Sequence, residues 1–186
     1  MTVTVDRAPQ HADAPRRRDR RVLLVGGAGI VLALLAGWLL LGRGPGSAPY
    51  VDPAATGRLT LCQGGHAVTS GSTKAFATKV VGAGSATGTV ALFGYQPHQG
   101  VAPSAWSGLQ LTPTAPVTGT ASLALTARDT TLAQFVAAYP AYWKGWVQLR
   151  LYRAATGQPV AATYDAVDLH ISGDHWSADR PGHAGC

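Results

Sequence analysis

Asp168, His170 and His175 are the residues of this sequence best placed to hold a metal ion. Asp168 and His170 are two residues apart on one predicted strand, so they share a face of it, and His175 follows after Gly173. Carboxylate and imidazole groups at this spacing could share a divalent ion. A solvent-facing polar stripe on an antiparallel sheet produces the same alternation, and we expect that stripe. A small metal-handling or hydrolytic site at these three residues remains the alternative function.

The chain lacks the common sequence patterns of catalytic sites. No serine stands in a G-x-S-x-G elbow, and no lysine follows a glycine as a phosphate-binding loop requires. The glycine-rich residues 82–88 miss the dinucleotide-binding spacing, and we predict a hairpin loop there between strands over 73–81 and 87–95. We therefore expect no catalytic residue and no cofactor.

Clustered aromatic residues offer a second type of site. Tyr142 and Trp143 lie close together in the sequence, and Trp106 lies in an earlier glycine- and proline-rich stretch. Exposed rings of this kind could contact a glycan or form the centre of a protein interface. Aromatic residues more often close the end of a β core, so both interpretations stay open. Trp106, Trp143 and Tyr142 form the predicted binding surface.

Strand patterns dominate the part of the chain that must position these residues. Val147, Leu149 and Leu151 alternate with polar neighbours over residues 146–153, and residues 167–172 repeat the pattern. Alternation of period two, broken by glycine and proline, predicts a mainly β domain, an antiparallel β-sandwich of immunoglobulin-like type. One short helix interrupts it, with Asp129 as the predicted N-cap and Pro140 as its end. Its apolar stripe comprises Leu132, Phe135, Val136 and Tyr139.

The two cysteines, Cys62 and Cys186, stand near the two ends of this predicted domain. An isolated pair in an oxidising compartment most often forms a disulfide, which is our expectation. A lipid-modified cysteine would need a small residue before it, whereas Leu61 precedes Cys62. Two cysteines without further ligands make a poor zinc site.

The N-terminal part of the chain has the pattern of a membrane anchor. Residues 22–41 are all apolar or glycine and, as a helix, would span roughly 30 Å, the thickness of a bilayer's hydrocarbon core. A cleaved signal peptide and a twin-arginine export signal are the alternatives, and all three export the remaining chain. By the positive-inside rule the basic N-terminal flank stays in the cytoplasm. That flank contains Arg16, Arg17, Arg18, Arg20 and Arg21.

These patterns predict a single-pass membrane protein with a cytoplasmic N-terminus. The segments are a cytoplasmic tail (1–21), a transmembrane helix (22–41), a flexible linker (42–57) and an extracytoplasmic domain (58–186). Residues 1–21 contain six arginines and three aspartates, so half of the formal charge of +6 lies there, which favours contact with anionic lipids and not nucleic-acid binding. Gly29, Ala33 and Gly37 share one helix face through which two membrane helices could pair as a homodimer, although glycine and alanine are common throughout the chain.

Nine short motifs occur in an order that resembles a family of membrane-anchored or secreted proteins of high-GC Gram-positive bacteria. The resemblance implies one N-terminal hydrophobic segment and an exported domain with a cysteine near each end, and it supports pairing of Cys62 with Cys186. It implies no activity and no catalytic residue. The motifs lie at residues 59–62, 68–73, 95–97, 100–103, 106–108, 139–140, 147–152, 157–159 and 173–176.

Together, the sequence predicts a non-catalytic binding protein of the cell envelope. Its expected partners are the membrane and another envelope protein or polymer.

Overall fold

The computed structural model describes residues 46–186, in which β-strands predominate. A single turn of 3-10 helix spans Pro103–Ala105. The strands and the helix, numbered along the chain, are β1 (Ala55–Arg58), β2 (Thr60–Gln63), β3 (His66–Val68), β4 (Ser70–Ser72), β5 (Lys79–Gln96), β6 (Ser107–Gln110), β7 (Ala115–Ala124), α1 (Leu132–Ala138), β8 (Trp146–Ala155), β9 (Tyr164–Ser172) and β10 (His175–Asp179).

All ten strands of the described residues belong to one hydrogen-bonded sheet. Its main path runs β3-β2-β5-β8-β9-β10-β4, with β6 and β7 paired to β5, and β1 paired to β9 in parallel. Thr69 alone separates β3 from β4, and its carbonyl accepts a hydrogen bond from the Ala178 amide at 2.7 Å. The two ends of the path therefore meet in one stretch of chain, and the sheet closes on itself.

The prediction of a mainly antiparallel β domain with one short helix is confirmed. The immunoglobulin-like sandwich supposes two separate sheets, whereas here opposite walls of one curled sheet supply the facing layers. The alternation along β8 is as predicted: Val147, Leu149 and Leu151 are fully buried in the core. Leu61 and Leu169 enter the same core from β2 and β9.

The predicted hairpin loop over residues 82–88 is wrong. Residues 79–96 form one continuous 18-residue strand, β5, and the glycine-rich segment lies within this strand. Its pairing with β7 shifts register between Val81 and Ser85, and Gly84 has a φ of 78°. Glycines here permit a bulge and bend within a strand, which is a second use of the conformations that make them favourable in turns.

The short helix forms where the sequence predicts it, but its N-cap is Thr131 and not Asp129. Thr131 accepts from the Gln134 amide, and the Gln134 side chain accepts in return from the Thr131 amide, which completes a capping box. Asp129 instead accepts from the amide and hydroxyl of Thr126. Leu132 and Phe135 are buried, as expected for the apolar stripe.

The predicted disulfide between Cys62 and Cys186 is present. The C-terminal segment runs beside β2, where the Gly182 amide donates to the Leu59 carbonyl and the Ala184 amide donates to the Thr60 hydroxyl. The chain's last residue is thereby joined to the beginning of the sheet.

The predicted membrane segment (22–41), its arginine flank at residues 16–21 and the small-residue face at Gly29, Ala33 and Gly37 lie outside the described residues. Within residues 46–186, no helix combines the length and apolar character needed to cross a membrane.

Candidate binding site

Residues 48–54, which we call the N-terminal strap, pack on the outward face of β8 and β9. The Ala48 amide donates to Asp179 at 3.0 Å, and the Tyr50 hydroxyl donates to Asp168 at 2.8 Å. The next residues, 55–58, form β1 and pair with β9. Part of the predicted flexible linker, residues 48–57, is therefore an integral part of the domain.

The strap covers a buried arginine. Arg150 is 1% exposed, and its guanidinium lies 3.2 Å from the carboxylate of Asp52, which is itself buried. The guanidinium also donates to the Pro103 carbonyl at 3.0 Å and to the side chain of Gln148. Burial of a charge is tolerable where a partner charge and hydrogen bonds compensate its lost hydration, and Arg150 has both.

Three aromatic rings enclose the same guanidinium. Its central carbon lies 3.9 Å from the ring centre of Tyr95, 4.6 Å from that of Tyr164 and 5.2 Å from that of Trp106. Cation–π attraction is strongest where water is excluded, so these rings add to the ion pair with Asp52. The site is built to hold Arg150 in place.

Burial shapes the acid–base chemistry around the strap. Desolvation, then the nearby Asp168 carboxylate, raises the pKa of Tyr50 far above its ordinary value. Burial likewise raises the pKa of Tyr164, and burial together with the hydrogen bond to Tyr152 raises the pKa of Tyr95 to about 12. These three tyrosines stay protonated at neutral pH: Tyr50 and Tyr164 donate to Asp168 and Asp52, whereas Tyr95 accepts from the Tyr152 hydroxyl.

An open groove lies beside this buried cluster, on the same outward face of β5 and β8. We call it the aromatic groove; its volume is about 400 Å³. Ala91 pairs with Tyr152, and Phe93 pairs with Arg150, so the outward residues of the two strands share one face. Its lining includes Phe93, Tyr95, Tyr152, Gln110, Thr114 and Val160.

A second cavity of about 330 Å³ continues the aromatic groove toward the strap. Tyr95 and Tyr152 line both cavities, and their hydroxyls lie 3.3 Å apart. Asp52, Arg150 and Tyr164 line its far end. The pair Tyr95–Tyr152 thus stands at the junction of an extended cleft.

Arg153, at the other end of the aromatic groove, is paired with Asp165. The carboxylate of Asp165 also accepts from the Ala83 amide at 3.1 Å. A Cβ added at Gly57 or Gly82 would lie 1.7 or 2.1 Å from its oxygens, so only glycine leaves room for this carboxylate. The ion pair is held by backbone and leaves little uncompensated charge in the groove.

The structure separates the three residues of the predicted binding surface. Trp106 is 5% exposed and donates its indole N–H to the Val101 carbonyl, so of the two interpretations the core one applies to its ring. Trp143 is half-buried and packs on Tyr50, with ring centres 5.4 Å apart. Tyr142 is 79% exposed. The aromatic cluster therefore divides between core, strap contact and open surface.

The structure does not bring Asp168, His170 and His175 together as metal ligands. Asp168 accepts from Tyr50 and from Gln148 at 2.9 Å, while the ring of His170 packs edge-on against Trp146. His175 is exposed. Among residues 46–186, no group of three histidine, cysteine or acidic side chains is placed to hold a metal ion.

Sequence reasoning missed both the strap and the aromatic groove. Phe93 and Tyr95 carry a local signal, since they alternate with core residues along β5. Tyr50 and Asp52 carry none beyond an aromatic residue in a proline- and glycine-rich segment, because their partners lie about a hundred residues further along the chain. Which strands become neighbours is invisible in alternation alone.

Residues 46–186 thus form a mainly antiparallel, disulfide-linked β domain with an aromatic groove on its outward face. No protein-family model, curated protein or solved structure matches the chain. Function is therefore inferred from the chain's own residues.

Proposed function

We propose that this chain is a non-catalytic, membrane-anchored binding protein of the cell envelope, whose exported β domain presents the aromatic groove to another envelope component. The observation that carries the proposal is the open groove lined by Phe93, Tyr95 and Tyr152. A concave, mostly apolar site with a few polar groups is the usual form of a binding pocket.

The proposed location rests on the sequence and on the cysteines. An apolar segment over residues 22–41 with arginines before it is typical of a single-pass anchor with a cytoplasmic N-terminus. A Cys62–Cys186 disulfide suits an oxidising compartment outside the cytoplasm. The small-residue face at Gly29, Ala33 and Gly37 would serve a homodimer of anchors, and the family resemblance described above agrees with this location.

The groups around the groove favour binding over catalysis. Arg150 and Arg153 are both paired with buried carboxylates, and burial raises the pKa of Tyr95 to about 12, so it keeps its proton at neutral pH. A general acid or base works best with a pKa near the operating pH, and the raised pKa of Tyr95 lies well above neutral.

Crosslinking in intact cells, followed by purification of the full-length protein, tests the proposed function. We compare two variants. Phe93→Ala removes an aromatic ring that lines the groove, and Tyr142→Ala removes an exposed ring elsewhere on the domain. We expect the native chain and the Tyr142 variant to capture the same envelope component, and the Phe93 variant to lose it. If the Tyr142 variant lost the captured component and the Phe93 variant retained it, binding would lie at the surface predicted from the sequence. The groove would then be wrong as the binding site.

A further inference from the structure

We infer that the aromatic groove binds a neutral glycan segment, with sugar rings stacked on its aromatic side chains. The inference rests on the proposed function and adds the chemical class of the ligand. It follows from three properties of the groove: its aromatic surface, its balanced charge and the pairing of β5 on both of its sides.

The aromatic side chains of the groove contact one another but are not closed off in the core. The rings of Phe93 and Tyr152 meet edge to face at 5.2 Å, and those of Phe93 and Tyr95 lie nearly parallel at 6.4 Å. All three side chains are half-buried, so part of each ring remains accessible. The C–H face of a pyranose ring is a flat apolar surface of matching size, and aromatic faces bind such surfaces by dispersion and by their quadrupole.

Hydrogen-bonding groups surround these rings. Thr89 and Gln110 stand at the rim, and Thr114 and the Tyr95 and Tyr152 hydroxyls complete the polar lining. Gln110 donates through its amide nitrogen to the Thr112 carbonyl at 2.7 Å, which fixes the orientation of its side chain. A polyhydroxylated ligand can satisfy such donors and acceptors without carrying a charge.

The balanced charge of the cleft favours a neutral ligand. Arg153 is neutralised by Asp165 at one end, and Arg150 by Asp52 at the other. An anionic ligand would have to compete with these buried carboxylates, and recruiting a buried guanidinium would leave its carboxylate unpaired.

The pairing of β5 on both of its sides disfavours an extended peptide added to this strand. A peptide that adds a strand needs an unpaired sheet edge. Here β5 is paired with β8 on one side and with β6 and β7 on the other. Where β6 and β7 leave a gap, the Leu92 amide donates to the Thr112 hydroxyl and the Leu92 carbonyl accepts from the Leu111 amide. Recognition over β5 therefore falls to side chains.

Titration of the full-length protein, in detergent micelles, with defined oligosaccharides tests the inference. The probes are maltotetraose, cellotetraose and the tetramer of N-acetylglucosamine, with tetragalacturonate as the anionic comparison. We expect at least one neutral tetramer to bind more tightly than tetragalacturonate by isothermal titration calorimetry. Phe93→Ala should weaken that binding about tenfold, which corresponds to about 1.4 kcal/mol, because the variant loses a ring contact to the sugar. Tyr142→Ala should leave it unchanged.

Val160→Ala guards against a Phe93 variant that fails to fold. Val160 is 61% exposed and lines the groove, so its truncation removes ligand contact with little effect on the core. We expect a smaller loss of binding with an unchanged unfolding midpoint. Binding of a neutral tetramer that neither Phe93→Ala nor Val160→Ala weakens would overturn the groove as its location.

The result also separates the ligand class from the proposed function. If none of the neutral tetramers binds while Phe93→Ala still abolishes capture in the crosslinking experiment, the glycan is overturned and the binding function stands. If tetragalacturonate binds more tightly than every neutral tetramer, the argument from balanced charge fails. If Phe93→Ala changes neither capture nor titration, both proposals are wrong.

Discussion

Arg150 is the buried charge beneath the strap, and its ion pair with Asp52 joins the strap to β8. Its charge is neutralised by one carboxylate, that of Asp52 in the strap, at 3.2 Å. We expect Asp52→Ala to reduce the free energy of unfolding by about 3–5 kcal/mol, because removal of one partner leaves the other charge buried and uncompensated. It also removes the acceptor of the Tyr164 hydroxyl. Urea denaturation of the native and variant domains measures the difference.

The matched control is Asp174→Ala. Asp174 pairs with Lys74 at 2.6 Å, but both side chains are more than half exposed. Exposed ion pairs contribute little to stability, so we expect the unfolding midpoint to stay nearly unchanged. Equal shifts in the two variants would mean that burial of the Asp52–Arg150 pair has no bearing on its contribution.

Asp168 makes the stability of the domain depend on pH in an unusual direction. Burial raises the pKa of its carboxyl above the ordinary value of 3.8, even though Tyr50 and Gln148 donate to it. Between 3.8 and the raised pKa, the folded protein holds a proton that the unfolded chain has released. Stability contributed by this group is therefore present below 3.8 and is lost as the pH rises through the folded-state pKa.

Asp168→Asn tests this pH dependence. The asparagine oxygen can still accept from Tyr50 and Gln148, but it carries no charge to bury. We expect the variant to be more stable than the native domain at neutral pH, with the difference shrinking as the pH falls below the folded-state pKa of Asp168. Thermal unfolding midpoints measured across this range decide the matter. A difference that does not change with pH would contradict the assigned cause.

At the scale of elements, substitution of Gly88 tests whether residues 82–88 belong to a bent strand or to a hairpin loop. Gly88 has a φ of 139°, and a Cβ there would lie 2.1 Å from the Ala154 carbonyl oxygen of the neighbouring strand. Gly84 has a φ of 78° with open space around it. We expect Gly88→Ala to lower the free energy of unfolding by about 3 kcal/mol or more, and Gly84→Ala by about 1 kcal/mol. Chemical denaturation gives both values, and two equally small losses would restore the loop interpretation.

The sequence allows prediction of the elements that have strong local signals. The alternation in β8 and β9 and the stripe of Leu132 and Phe135 predict their elements, because burial of one face imposes a period on the chain. The glycines of β5 carry no such information, since the same residue types suit a turn and a bulge. The cover of Arg150 is also unpredictable, because Asp52 becomes its partner only when distant segments meet.

The strap provides a direct test of where the domain begins. We expect a chain starting at Ala48 to unfold at the same denaturant concentration as a chain starting at Gly46. A chain starting at Arg58 lacks Tyr50, Asp52 and most of β1, so it should unfold at a clearly lower concentration. Equal midpoints for the chains that start at Ala48 and Arg58 would mean that residues 48–57 are a dispensable tether.

At the scale of the whole molecule, the single disulfide connects stability with location. Cys62 and Cys186 are 124 residues apart, and the chain-entropy model assigns a loop of this length about 5 kcal/mol, although measured gains are often smaller. We expect the double substitution Cys62→Ser, Cys186→Ser to lower the unfolding midpoint substantially. Structural disulfides are typical of oxidising compartments and rare in the cytosol.

The two cysteines also report where the domain resides in the cell. In the full-length protein we expect both to resist alkylation after rapid acid quenching and denaturation, because export allows the disulfide to form. A chain that begins at Gly46 and lacks residues 22–41 should stay in the cytoplasm with both thiols reduced and fully alkylated. Denaturation before alkylation is required since Cys62 is only 1% exposed, so protection in the native fold would otherwise imitate oxidation. Reduced thiols in the full-length protein would contradict export of the domain, whatever the groove binds.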